Sequence, residues 1–229
     1  MKKTILSLVM GILTASLVFS QTETRNLGNF NGVSASTGVK VILKKSSETK
    51  AIIVTQNCEP SEVSTEIEGG TLKVKFKKSG WRVVKNRRAT VTVHYKNLEQ
   101  LDVSSGANIS SENIIVAREL DVNASSGGSL STRVEAGRLD VDVSSGGEVE
   151  LSGQADAQNI DVSSGGVYKG HDLKSKSANA DASSGGVARI WVTEALIADA
   201  SSGGAIDYKG KPSSVNVDAS ISGAVRSSN

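Results

Sequence analysis

The chain has 229 residues, with 26 Lys and Arg against 24 Asp and Glu, 23 Gly, 2 Pro and only 3% aromatic residues. One Cys and two His exclude a Cys/His zinc site, an intramolecular disulfide and a haem attachment motif. A formal charge of +2 argues against a nucleic-acid binder, and eight aromatic side chains leave few platforms for stacking sugars or bases.

The first 20 residues read as a secretory signal peptide. Lys2 and Lys3 form a basic start, Ile5 to Phe19 is an uncharged and mostly apolar stretch, and Val18 and Ser20 are the small residues of a cleavage site before Gln21. The apolar stretch is short of the about 20 residues that span a bilayer, and no later segment approaches that length. An exported protein is expected, in the periplasm, on the cell surface or secreted. Once residues 1–20 are removed, the charge divides unevenly: residues 21–100 hold 14 basic and 7 acidic side chains, and residues 101–229 hold 10 and 17. The chain thus divides into three regions: the signal peptide (1–20), a strand-rich N-terminal portion that caps the repeats (21–100), and the repetitive region itself (101–229).

In the second region, Val39–Leu43, Ala51–Val54, Thr71–Phe76 and Thr90–Tyr95 read as strands. Gly69-Gly70 marks a hairpin between Glu62–Glu68 and Thr71–Phe76. Ser36-Thr37-Gly38-Val39 resembles a divergent copy of the turn that dominates the rest of the chain. The run Lys73, Lys75, Lys77, Lys78, Arg82, Lys85, Arg87 and Arg88 contains no acid and has Trp81 at its middle. It is a candidate interaction surface for an anionic partner; the alternative is a solvated strand face and loop. Cys58 reads as a small buried hydrophobe or a thiol free to pair between chains.

The third region is a repeat. Ser-Ser-Gly begins at Ser104, Ser125, Ser144, Ser163, Ser183 and Ser201, and a degenerate copy begins at Ser220, with spacings of 18 to 21 residues. Gly106, Gly127, Gly146, Gly165, Gly185, Gly203 and Gly223 are the expected corner glycines, supplying positive φ at no steric cost. Apolar and polar residues alternate on both sides of each turn, as in Leu139-Asp140-Val141-Asp142-Val143, which is the pattern of a strand with one buried face. A period near 19 is too short for helix pairs. It fits an all-β fold, a parallel β-helix or β-solenoid with coils of about 19 residues, right-handed because parallel crossovers are right-handed as a rule. Val and Ala columns imply a narrow core.

Outside that core stands a polar column of Asp102, Asn123, Asp142, Asp161, Asp181, Asp199 and Asp218. Stacked carboxylates repel, and calcium is one way to relieve them. The calcium-binding nonapeptide Gly-Gly-x-Gly-x-Asp is absent, and turn stabilisation by Asp–backbone bonds is the favoured role. No Gly-x-Ser-x-Gly elbow occurs. His171 beside Asp172 is the single acid–base pairing to consider, so no catalytic residues, metal ligands or cofactors are expected.

Phe30-Asn31-Gly32-Val33, Gly38-Val39-Lys40-Val41, Gly70-Thr71-Leu72-Lys73-Val74 and Leu98 to Ser105, leading into the Ser-Gly coils, resemble the DUF2807 family, the autotransporter adhesin head GIN domain. The resemblance spans about Phe30 to Val225. It implies a β-helix-like exported protein with an adhesin-like, non-enzymatic role at the cell envelope and no catalytic residues to carry over. Cell-surface polysaccharide or protein are the expected partners. The alternatives are a polysaccharide-binding or polysaccharide-degrading β-helix and a self-associating structural envelope protein.

Overall fold

The computed structural model describes residues 20–77, 86–220 and 222–228. Residues 1–19 of the expected signal peptide, and Lys78, Trp81, Arg82 and Lys85 of the basic run, lie outside them. In chain order the strands are β1 (Ser20–Asn26), β2 (Gly32–Ser36), β3 (Lys40–Lys45), β4 (Lys50–Gln56), β5 (Val63–Glu68), β6 (Thr71–Phe76), β7 (Arg88–Tyr95), β8 (Gln100–Val103) and β9 (Asn108–Ser111). They continue with β10 (Ile115–Ala124), β11 (Ser129–Val143), β12 (Glu148–Val162), β13 (Val167–Ala182), β14 (Val187–Ala200), β15 (Ala205–Lys209), β16 (Ser214–Ala219) and β17 (Ala224–Ser227). Among the described residues a single 3₁₀ turn, Pro60–Glu62, interrupts them.

The chain is a β-solenoid of about seven turns at about 19-residue spacing. Successive coils pair in parallel with one position above its repeat: Leu101 on Val122, Val122 on Val141, Val141 on Ile160, Ile160 on Ala180, Ala180 on Ala198 and Ala198 on Val217. The described strands wind as one continuous sheet, whose faces before and after the turns lie across the interior from each other, and alternate side chains from both fill the space between. Burial explains the alternation read from sequence. Val141, Val143, Val149 and Leu151 are buried, whereas Asp142 and Glu150 are exposed.

The turns use more left-handed backbone than glycine alone supplies. At the copy beginning with Ser144, both Ser145 (φ 49°) and Gly146 (φ 70°) have positive φ, and the Gly147 amide donates to the Ser144 carbonyl at 2.8 Å. This is a turn of the I′ kind, with two left-handed central residues. The second serine is left-handed in every copy up to Ser202, at a local cost of about 1–2 kcal/mol each. Stacking overrides that cost, since the turn amides bond to neighbouring coils: Ser144 to the Ala124 carbonyl at 2.9 Å and Gly146 to the Ser164 carbonyl at 3.2 Å.

The two glycines of the motif do different work. A Cβ on Gly146 would meet nothing within 4 Å, but one on Gly147 would lie 2.5 Å from the Ala124 carbonyl oxygen. In the degenerate last copy, Ser222 (φ 63°) takes the left-handed place. Gly223 instead occupies the second-glycine place, where a Cβ would lie 2.0 Å from the Ala200 oxygen.

The N-terminal portion is built on the same frame. β2 and β3, joined through Thr37 (φ 60°) and Gly38 (φ 75°), stack in parallel on β8 and β9 as a first coil. β6 and β7 then stack in parallel on β2 and β3 as a further coil. Antiparallel β5 closes one face beyond β6, and β4 followed by β1 closes the other. The Gly69-Gly70 hairpin joins β5 and β6 as expected.

Among the described residues, Thr55, Ser64, Thr132, Gln158 and Ser175 are polar side chains buried in the core, and Gln158 is the largest of them. Gln158 falls in the column of Leu120, Leu139 and Leu196, yet is 3% exposed. Its Oε1 accepts from the Tyr168 hydroxyl at 2.6 Å, and its Nε2 donates to Ser175 Oγ at 2.9 Å. Ala188 beside it in the ladder and Gly170, where a Cβ would lie 2.7 Å from the ring, leave the room that the fully buried Tyr168 requires.

Substitution to alanine separates the two glycine roles. Gly146→Ala should cost about 1–2 kcal/mol, the left-handed penalty alone. Gly147→Ala should cost at least about 3 kcal/mol, because a backbone carbonyl must move. Chemical denaturation of both variants checks the order.

Candidate interaction surfaces

The outer face of the sheet before the turns carries two parallel columns. One is Asp102, Asn123, Asp142, Asp161, Asp181, Asp199 and Asp218, each in direct register with the next. The other, two residues earlier, is Gln100, Asp121, Asp140, Asn159, Asn179, Ile197 and Asn216. Period-two alternation puts both outside, and the rung spacing of about 4.8 Å brings successive side chains together.

Carboxylates and amides meet differently along these columns. Asp102 accepts from Asn123 Nδ2 and Gln100 Nε2, both at 2.9 Å, and Asn179 donates to Asn159 at 3.1 Å. Asp140 is held below the usual carboxylate range by its bond from Arg138. Asp142 and Asp181 are pushed up, first by partial desolvation and then by neighbouring carboxylates, Asp161 among them. Turn amides bond to carbonyls of adjacent coils, as Ser144 and Gly146 do, or within the turn, as Gly147 does, rather than to the expected aspartates.

The described part of the basic run is less free than its sequence implies. Lys73 bonds to Glu68 and stands opposite Glu66 on β5. Arg87 lies 3.8 Å from Glu62 and stacks 4.3 Å from the Phe76 ring centroid. The hairpin thus brings three acids beside a run that contains none. Lys75 is half-buried, while Lys77 and Arg88 are exposed. Half-buried Cys58 sits 3.6 Å from the Gln56 and Arg88 carbonyls, and burial pushes its thiol pKa up.

A surface that sequence reading missed lies on the sheet after the turns. Arg133, Glu150, Lys169, His171, Asp172 and Arg189 line an open groove of about 530 Å³. Ser131, Glu150, Lys169 and Arg189 are one column, so aligning the repeats on their second strand would have found it. His171 and Asp172 do not act together there. His171 Nε2 lies 3.3 Å from the Asp207 carbonyl, and Asp172 faces Lys209 at 3.9 Å. His94 is half-buried on β7, its pKa lowered by burial and then by Lys50 and Lys44.

The aspartate column predicts an unusual pH response. A carboxyl with a raised folded-state pKa destabilises the fold while ionised, and that cost fades as pH falls toward the ordinary value near about 4. Asp161→Asn removes a charge from between Asp142 and Asp181 and places an amide as at Asn123. It should raise the melting temperature at pH 7 by about 2–4 °C, corresponding to about 1 kcal/mol. The gain should shrink between pH 7 and pH 4, as read by thermal denaturation.

Residues 29–212 match the family model described as "Putative auto-transporter adhesin, head GIN domain", DUF2807. No curated protein matches the sequence. Among solved structures, a "putative adhesin" from Bacteroides fragilis is 20% identical with TM-score 0.79, over 91% of this chain and 97% of that one. A "putative adhesin" from Parabacteroides merdae is also 20% identical, with TM-score 0.76 over 92% and 96%. A "putative lipid binding protein" from Parabacteroides distasonis is 19% identical, with TM-score 0.70 over 92% and 97%. These likenesses are of fold, and the match over most of the chain assigns it to the DUF2807 family.

Proposed function

We propose that the chain is a non-enzymatic, exported envelope interaction module of adhesin-like type, which binds a repeating surface polysaccharide along its Asp/Asn face. The observation that carries this reading is the double column itself. It offers hydrogen-bonding carboxylates and amides at a fixed rung repeat on a rigid sheet, a periodic surface suited to a periodic polymer. The adhesin character of the family and of its structural neighbours supports the same role. Export begins with cleavage after Ser20. No helix among the described residues is long and apolar enough to cross a membrane.

Two measurements test this. Mass spectrometry of the chain recovered from a bacterial envelope should find Gln21 at the N-terminus; an intact Met1 would refute cleavage. Purified chain should be retained on envelope polysaccharide without releasing reducing ends. Asp142, Asp161 and Asp181 changed together to Ala should weaken retention at least about tenfold, since each lost hydrogen bond is worth about 1 kcal/mol. The matching Asn variant should keep it. Equal retention by the Ala variant, or hydrolysis of the polymer, overturns the reading.

A further inference from the structure

The two ends of the solenoid are finished differently. At the N-terminal end the core is covered: Ala51, Ile53 and Val63 are fully buried. Arg25 of β1 spans that end, donating to the Val63 carbonyl at 2.7 Å, Thr65 Oγ1 at 3.0 Å and the Pro60 carbonyl at 2.9 Å. Glu23 holds its guanidinium from the other side at 2.7 Å. Glu66 and Glu68 add charge along the β5 edge, a known protection against strand pairing.

At the other end nothing comparable is found among the described residues. β16 pairs only with β14, and β17 only with β15, so each presents an edge. Val215 and Val217 continue inward columns whose preceding members, Leu196 and Ala198, are 1% exposed. Here they are 47% and 42% exposed, because no coil lies on them. Ala219 is exposed too, and Val225 is half-buried. A sheet edge and an opened core coincide on one rung.

We propose that a second copy of the chain covers this rung, end to end, about a twofold axis that sets turn over turn. The turn carries the chain from one face to the other, so such an axis lays β16 of each copy antiparallel along β17 of its partner. Val215, Val217 and Val225 of the two copies then share one continued core. Charge selects this arrangement. Asp218 projects outward two residues before the turn and Arg226 three residues after it, on opposite faces. The twofold places each aspartate beside the partner's arginine, twice, whereas laying β16 antiparallel on β16 would set Asp218 only against Ser214, Asn216 or another Asp218, none of them a cation. Docking onto the N-terminal end of another copy is disfavoured because the core there is already closed. The contact is isologous and stops at two copies.

Sedimentation velocity of the purified full chain over a micromolar concentration series tests this. The unaltered chain should be a dimer. Asp218→Arg and Arg226→Asp should each raise the dissociation constant at least about tenfold, and the double swap should restore the dimer. Val217→Lys should give monomer with an unchanged far-ultraviolet spectrum, which shows that the solenoid still folds. Glu66→Lys at the opposite end should leave the dimer intact. A monomeric unaltered chain, a dimer indifferent to all three end variants, a double swap that stays monomeric, or dissociation by Glu66→Lys each overturns the proposal.

Discussion

No coil of this protein has a hydrogen-bond ladder or a closed core of its own; it acquires both by lying in register on its neighbours. That constraint reaches into every local choice. The turns accept left-handed serines because a shifted turn would misalign the ladder above and below it. The second glycine has no side chain because the preceding coil's carbonyl occupies the space. The core columns favour Val, Ala and Leu because the same inward position recurs rung after rung in a narrow interior. Where one coil departs, its neighbours adjust: Ala188 and Gly170 leave room for Tyr168, whose hydroxyl satisfies Gln158 together with Ser175.

Register also produces the surface. Any outward residue type that recurs with the period becomes a column, and the column's chemistry depends on who stands next to whom. Asn123 beside Asp102 gives a hydrogen bond. Asp142, Asp161 and Asp181 stack carboxylate on carboxylate, and the pKa values of Asp142 and Asp181 are raised first by desolvation and then by such neighbours. A ladder thus converts a repetitive sequence into a patterned face without any turn or loop being specialised for binding. The proposed interaction role accordingly rests on a sheet surface rather than on a pocket.

A stacked architecture must be terminated, and the termini are where regularity gives way. On one side the chain returns in antiparallel strands, and Arg25 reaches over the core to edge carbonyls. On the other the last rung leaves valines in the open. The asymmetry carries more physical meaning than the overall charge division between the halves. Opposite charges on the two halves spread over a long body, whereas the exposed rung brings apolar area, a free edge and one charge of each sign into one place.

The repeat, the alternation and the short period were enough to specify a solenoid, its turns and its inward columns, because in-register stacking makes sequence spacing equal to spatial adjacency. The hairpin at Gly69-Gly70 was legible for the same local reason. Adjacency between segments that do not repeat was not legible. Glu62, Glu66 and Glu68 meet the basic run only through the hairpin's antiparallel pairing. Arg25 meets Val63 and Pro60 across the solenoid end. The turn amides choose carbonyls of other coils or of their own turn over nearby aspartates. The sequence alone determined periodicity, and with it the fold and the identity of each column. The tertiary structure decided which charges are neutralised and which end is open, because those depend on how the chain folds back beyond its repeat.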